Sequence, residues 1–506
     1  MSVSSICILI SIVVYLVGML LIGFVYSKNS NSEEFYLGGR KLGPIVTAMS
    51  TEASDMSSWL LMGVPGLAYF CGLADATWTV IGLSVGTYLN WLFVAKRLRL
   101  YSARIGAITV PDFFAKRWND KKGLLEGISA IIIIVFFIPY TASGFAACGK
   151  LFNNLFGMNY TTAMLISAAV IVGYTALGGF MAASVTSLVQ SIVMTIALVV
   201  IMIFGINVAG GWTAVMDNAK SVPGYLNLFV NTSIAQTGSS KYGFFTIIST
   251  LAWGLGYFGM PHILLHFMAI EDENKLSVSR RVGTVWVVIS MVIAMLIGLI
   301  GFAMSKVGAI TTFESSSAAE AVIVHVSNLL SSYGIVPALI AGVILAGILS
   351  STMSTADAQL LAAASAISKN IAQDVFNIKL SGKQEMRIAR ITVLCIAIMG
   401  IAFASDPTSS VFGIVSFAWA GFGAAFGPVM LFALFWKRST RQGALAAMLS
   451  GGLTIFLWKY LIRPLGGAWN VYELLPAFIV ASVFMVVVSL ATPAPEKEVI
   501  DNYEAV

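Results

Sequence analysis

Hydrophobic residues in this chain come in long blocks, neither alternating as in a half-buried strand nor confined to one stripe of a surface helix. Met1 to Val25, Ile128 to Ile138 and Ile192 to Val208 carry almost no charge. A helix needs roughly 20 apolar residues to cross a bilayer. Thirteen segments answer to that description: 5–27, 44–70, 75–96, 124–153, 160–178, 185–210, 243–265, 280–305, 322–366, 388–405, 411–436, 441–461 and 473–491. The ninth is long enough to hold a short helix ahead of the span proper. The pattern predicts an all-α polytopic membrane protein, with one transmembrane domain over 1–491 and a short tail over 492–506.

Composition removes the soluble alternatives. Of the 506 residues 58% are hydrophobic and 10% charged, against about 25% charged in soluble domains. The net charge of +6 is what basic loops on one side of a membrane give, so nucleic acid is not expected as a partner. An extracellular N-terminus puts the loops after segments 1, 3, 7, 9 and 11 in the cytoplasm. Those loops and the tail then hold 23 of the 29 Lys and Arg; only Lys150, Lys220, Lys241, Lys306, Lys459 and Arg463 fall outside. The expected setting is the inner (cytoplasmic) membrane, with the N-terminus outside and the C-terminus inside. The first block is too long for a signal-peptide core and is expected to stay as a helix. The acidic, Pro-containing tail reads as a disordered end. Cys7, Cys71, Cys148 and Cys395 are scattered, and no Cys/His spacing suggests a metal or a disulfide frame. No nucleophile–base motif stands out, so an enzyme is not expected, and nothing implies an obligate protein partner.

Two segments depart from plain apolar helix. Segment 2 reads Ser50-Thr51-Glu52-Ala53-Ser54-Asp55-Met56-Ser57-Ser58-Trp59 and then Gly63-Val64-Pro65-Gly66. Segment 7 reads Trp253-Gly254-Leu255-Gly256-Tyr257-Phe258-Gly259-Met260-Pro261-His262. Hydroxyls, glycines and a proline weaken the helical hydrogen-bond ladder. Freed backbone groups at membrane depth are tolerated only where they line protein or a water cavity. The two segments are five apart, the spacing that two inverted five-helix repeats would give if each opened with a broken helix. The plainer explanation, a packing helix kinked by small residues, would have to hold twice at matching places. Gly254-x-Gly256-x-x-Gly259 fits a dinucleotide pattern but follows no strand and is discarded.

Asp55 lies mid-segment. A carboxylate at a helix centre costs roughly 2.5–3.5 kcal/mol on insertion scales. No Lys or Arg lies at similar depth, so a bound cation is the simplest partner. Hard cations take several oxygen ligands, which hydroxyls and carbonyls at a break supply. Ser351, Ser354 and Thr355 share one face of segment 9 at i, i+3 and i+4; helix–helix hydrogen bonding is the competing use of such residues. Asp357 is a second acid at depth. Glu52 is read as near the cytoplasmic end of segment 2, able to reach water or Arg40. Trp59, Tyr140, Trp253 and Tyr257 stand near the breaks, either as an aromatic wall for a substrate or as packing. His262, His266 and His325 are isolated.

These residues resemble the sodium:solute symporter family, and most closely its proline-transporting branch. The resemblance is carried by Tyr36-Leu37-Gly38-Gly39-Arg40, Ala53-Ser54-Asp55-Met56-Ser57, Trp59-Leu60-Leu61-Met62-Gly63, Trp253 to Gly259, Met353-Ser354-Thr355, and Ala418-Trp419-Ala420-Gly421-Phe422-Gly423-Ala424-Ala425-Phe426-Gly427-Pro428. It implies thirteen helices around a five-plus-five inverted-repeat, LeuT-like core, with repeats near 44–210 and 243–436, and sodium-driven alternating access with L-proline or a similar small molecule as substrate. It further implies a sodium site at the Ala53 and Met56 backbone oxygens with Ser351, Ser354 and Thr355, Asp55 serving the coupling, and Arg40 at the cytoplasmic entrance. Substrate contacts would fall on Ser57, Trp59, Tyr140, Trp253, Tyr257 and Pro261. Ser58 stands where that branch has glycine, and so joins the substrate-site candidates; Met260 stands where it has a glutamine-like residue. Ser187 stands where some relatives have an acid, so Asp357 with Ser187 is a candidate second cation site. Ser58 and Met260 keep open a sodium or proton symporter for another amino acid, a carboxylate or a vitamin.

Overall fold

A computed structural model describes residues 2–26, 32–175, 179–235, 239–376 and 378–506. Lys28, counted above among the basic loop residues, and the end of the 160–178 segment (176–178) lie outside the described residues. The chain is helical almost throughout. The main helices are α1 Val3–Val25, α2 Pro44–Asp55, α3 Val64–Cys71, α4 Leu73–Leu89, α5 Ala95–Arg104, α6 Leu124–Phe156, α7 Tyr160–Thr175, α8 Phe180–Val208, α9 Phe244–Leu251 and α10 Pro261–Ala269. They continue with α11 Leu276–Lys306, α12 Ile335–Ser365, α13 Gly382–Phe403, α14 Val411–Phe435, α15 Arg441–Leu457, α16 Leu474–Ala491 and α17 Lys497–Glu504. Two-residue strands, Val230–Asn231 and Ser240–Lys241, pair antiparallel in a loop.

Among the described residues nine helices are long and apolar enough to cross a bilayer, and one bent pair makes a tenth. Their outer faces carry large apolar side chains such as Val14, Leu21, Val336 and Val487, each more than half exposed. In water such faces would be a liability; facing lipid they are the expected surface. The short helix expected ahead of the ninth span is present as Val322–Ser331.

Both expected breaks are present. Helix α2 ends at Asp55, and Met56 turns out of the helix at φ −76°, ψ 74°. The Ser57 amide folds back onto the Asp55 carbonyl at 2.8 Å, and the chain resumes through a widened turn, Trp59–Gly63, into α3. After α9 the chain tightens into a 3-10 stretch, Ala252–Gly259; Met260 is then extended and Pro261 opens α10. Proline suits the first position of a helix because its missing N–H would have no intrahelical partner there. The two halves meet at 48°.

Glycine lets the second break lie close to α4. A Cβ on Gly254 would stand 2.2 Å from the Gly82 carbonyl oxygen, and one on Gly86 2.4 Å from that of Gly254. Helices α8 and α12 pack against α2, as do α10 and α11, so the first break is enclosed by protein. The tail expectation is corrected: Lys497–Glu504 is a docked helix. Its Tyr503 ring lies 4.7 Å from the Arg97 guanidinium and 5.1 Å from that of Arg117, Val499 is buried, and Lys437 pairs with Glu504 at 3.1 Å. An aromatic ring between two guanidiniums supplies the attraction that the tail's polar composition alone conceals.

Candidate functional site at the two breaks

Asp55 is the meeting point. It is fully buried, and its Oδ2 accepts a hydrogen bond from the Tyr257 hydroxyl at 2.8 Å. Its backbone carbonyl, freed by the break, accepts from the Trp59 indole at 3.0 Å and the Tyr140 hydroxyl at 3.3 Å. Its Oδ1 makes no hydrogen bond to the described residues. No Lys or Arg among them lies within salt-bridge distance of it. A buried carboxylate oxygen without a donor is costly, and a cation would remove that cost.

One turn earlier, the Ala53 carbonyl accepts from the Ser354 hydroxyl of α12 at 2.6 Å. Ser351 and Thr355 lie on the same face, and their hydroxyls donate to carbonyls of their own helix, Ile348 at 2.8 Å and Ser351 at 3.0 Å. A hydroxyl that donates backwards keeps lone pairs free to accept or to ligate. Met56 is buried at the first non-helical position, where its carbonyl leaves the ladder. The structure therefore puts Ala53, Ser354, Ser351 and Thr355 at one helix contact, with Asp55 and Met56 adjoining.

Of the residues expected at a substrate, Trp59, Tyr140 and Tyr257 converge on Asp55 as described. Ser57 adjoins them through its amide, and its hydroxyl accepts from the Trp59 amide at 3.4 Å. The Ser58 hydroxyl is buried and makes no hydrogen bond to the described residues. Pro261 is buried at the start of α10. Trp253 is set apart, its ring stacked on Tyr472 at 5.1 Å and tilted against Phe412 at 4.9 Å. Trp419 was not singled out from sequence as a site residue, yet it joins this group. Its indole donates to the Trp253 carbonyl at 2.7 Å, and its ring meets Tyr257 edge-on at 5.0 Å.

The family whose model matches this chain over residues 35–451 is the sodium:solute symporter family. The chain belongs to that family. It is 40% identical over 496 residues to an osmoregulated proline transporter of Bacillus subtilis, covering 97% of this chain and 96% of the relative. It is 40% identical over 490 residues to a sodium/proline symporter of Escherichia coli, covering 96% and 93%. In fold it is similar to a Na+-coupled sialic acid symporter in a substrate-bound outward-open state, with a TM-score of 0.77 at 16% identity over 97% of this chain and 99% of that one. A likeness to a transporter solved with L-phenylalanine has a TM-score of 0.53 at 12% identity, over 89% of this chain and 99% of that one.

One position in this family member is placed differently from the reading of the sequence. Glu52 does not reach water or Arg40. It is 1% exposed, and its Oε1 accepts from the Trp91 indole at 2.6 Å and the Thr87 hydroxyl at 3.2 Å. It lies eight residues into α2, about 12 Å along the axis at 1.5 Å per residue, too deep for the loop. Arg40 is occupied elsewhere. It donates to the carbonyls of Met268 at 2.8 Å and Ala107 at 2.5 Å and pairs with Glu33 at 3.5 Å, tying the start of α2 to the ends of α5 and α10. Burial lowers its guanidinium to about 10, so it stays charged at neutral pH. Ser187 on α8 and Asp357 on α12 are both buried, on helices that pack together.

Proposed function

We propose that this chain is a secondary active symporter that couples inward sodium movement to uptake of L-proline across the cytoplasmic membrane. The observation that carries the reading is Asp55. Its carboxylate sits at a helix break inside the membrane domain, held by Tyr257 on one oxygen, with no hydrogen bond from the described residues on the other. Membership of a sodium-coupled family and the printed activities of relatives at 40% identity support the ion and the substrate.

In this reading the helices form thirteen spans around a five-plus-five inverted repeat, with the N-terminus outside and the C-terminus in the cytoplasm. Sodium is held by the Ala53 and Met56 carbonyls with Ser351, Ser354 and Thr355, and Asp55 supplies the charge that makes its binding favourable. Sodium fixes the break between α2 and α3, and so sets Trp59, Tyr140 and Tyr257 for the substrate, with Ser57, Trp253 and Pro261 completing its surroundings. Binding of either ligand then favours the other by the same factor. Asp357 and Ser187 form a second cation site across α8 and α12; Asp357→Asn with unchanged sodium dependence of uptake would remove it. The Ser58 hydroxyl, with no hydrogen bond to the described residues, favours the second reading, a sodium or proton symporter of the same fold for another amino acid, a carboxylate or a vitamin.

The test is labelled L-proline uptake into proteoliposomes with and without an inward sodium gradient, beside Asp55→Asn. Sodium-dependent uptake that the variant loses is the expected result. No uptake by folded protein under any gradient would discard proline and leave the search to other substrates that can meet Ser58.

A further inference from the structure

Helix α4 runs into α5 through a five-residue π turn, Asn90–Val94. Such turns insert a residue into the helical phase and recur at functional sites. Here the insertion aims two successive side chains at the two broken helices. Asn90 donates through Nδ2 to the Tyr257 carbonyl at 3.0 Å, within the 3-10 stretch. Trp91 donates through its indole to Glu52 at 2.6 Å, on the last turns of α2. Both side chains are buried, and the Trp91 ring packs on Phe267 of α10 at 4.5 Å.

These contacts close a ring. Asp55 is bonded to the Tyr257 hydroxyl, the Tyr257 carbonyl to Asn90, Asn90 is followed by Trp91, and Trp91 is bonded to Glu52, three residues before Asp55 on α2. A shift of the α2 end therefore reaches the second break by two routes, through the Tyr257 phenol and through the π turn. Free carbonyls in a 3-10 stretch leave it soft, whereas one held by a rigid helix follows that helix.

Resting on the sodium-symport reading above, we propose that Asn90 and Trp91 are positioning residues that couple the sodium-binding break in α2 to the substrate-side break at 252–259. Neither is among the residues proposed to hold the sodium or the substrate. Their role is to make the second break respond when sodium orders the first, which is the physical content that a coupling pathway requires.

The test is hydrogen exchange of the 252–259 amides in the purified full chain, in sodium or in potassium, without substrate. The variants are Asn90→Leu and Trp91→Phe, which keep bulk and remove the donor. Trp78→Phe is the control, since it removes an indole donor from the same helix where that donor meets the Leu228 carbonyl at 2.9 Å. Sodium binding is followed separately as thermal stabilisation. In the unmodified chain and in Trp78→Phe, sodium is expected to slow exchange of 252–259. In Asn90→Leu and Trp91→Phe it should still raise the melting temperature but lose that protection by about tenfold, the scale of one buried hydrogen bond. The double variant should lose little more than either single one, as members of one network do. Full protection in both single variants, additive losses, or no protection in the unmodified chain overturns the proposal. A wrong substrate assignment shows elsewhere, as absent proline binding, and leaves this measurement decisive.

Discussion

Ser354 gives the sharpest test of the sodium site, because one hydroxyl does two separable things. Its oxygen lies 2.6 Å from the Ala53 carbonyl, with both residues fully buried. Replacing it by alanine removes one interhelical hydrogen bond, worth about 1 kcal/mol of stability. Alanine is the better helix former, which returns part of that, so the folded protein should survive with little change in melting temperature. The loss to a bound cation is larger, since interactions of a polar group with a charge run to about 1.5–3 kcal/mol. At about 1.4 kcal/mol per decade, the sodium concentration for half-maximal uptake should rise roughly 10- to 150-fold. The maximal rate at saturating sodium should be kept, because the Asp55 group of aromatic and carbonyl contacts does not include Ser354. The assay is the initial rate of labelled proline uptake against external sodium in proteoliposomes. Ser365→Ala is the control, further along the same helix with its hydroxyl donating to the Ala362 carbonyl of its own helix at 2.8 Å. A half-saturating sodium concentration unchanged in folded Ser354→Ala would refute the assignment. A fall in maximal rate at unchanged half-saturation would make Ser354 a packing residue instead.

Three further outcomes follow from the packing. Lys150 and Glu320 pair at 2.7 Å with Glu320 1% exposed, and that carboxylate also accepts from Ser410 and from the Val411 and Phe412 amides at the start of α14. Lys150→Met strands a buried charge, at a cost near the lower end of about 3–5 kcal/mol because those donors remain; a lowered melting temperature in detergent checks it, and Lys150→Met with Glu320→Gln together should recover part of the loss. Gly256→Ala would place a Cβ 1.9 Å from the Trp419 indole nitrogen, an overpacking that costs about 1–3 kcal/mol or more and should abolish uptake; wild-type uptake would show that the break moves freely. Tyr503→Ala removes contacts to Arg97 and Arg117 worth about 0.5–2 kcal/mol each, so trypsin should cleave at Lys497 faster; an unchanged cleavage rate would mean that other contacts hold the tail.

The sequence showed most clearly what a bilayer penalises. Hydroxyls, glycines and prolines inside apolar blocks marked both breaks, and Asp55 was conspicuous because a carboxylate there needs a reason. Ser351, Ser354 and Thr355 were visible as one helical face, and that face meets Ala53. What stayed hidden depends on neighbours distant along the chain. Glu52 reads as solvated when depth is judged from the segment's own edge, while its partners, Thr87 and Trp91, come from α4 and the π turn that follows it. Trp419 stood in a recognisable run, but nothing local says that its indole meets the Trp253 carbonyl 166 residues away. The tail reads as disordered by composition; core side chains and the guanidiniums of Arg97 and Arg117, brought beside it by the fold, give Tyr503 something to bind.

The break after α2 can be read as a hydrogen-bond account that the protein leaves one ligand short. Inside a membrane every freed backbone group needs a partner. The Asp55 carbonyl has three, from the Ser57 amide, Trp59 and Tyr140, and the Ala53 carbonyl has Ser354. Tyr257 serves one carboxylate oxygen of Asp55, and no described residue serves the other. Tyr140, Ser354 and Tyr257 lie on three other elements, so the break holds its shape only while those elements stay in register. A second donor on the free oxygen would make the closed arrangement complete without an ion, and transport would lose its dependence on one. In the proposed reading the incomplete site ties conformation to cation, because the arrangement that gathers these oxygens gains its last favourable contact only when positive charge arrives.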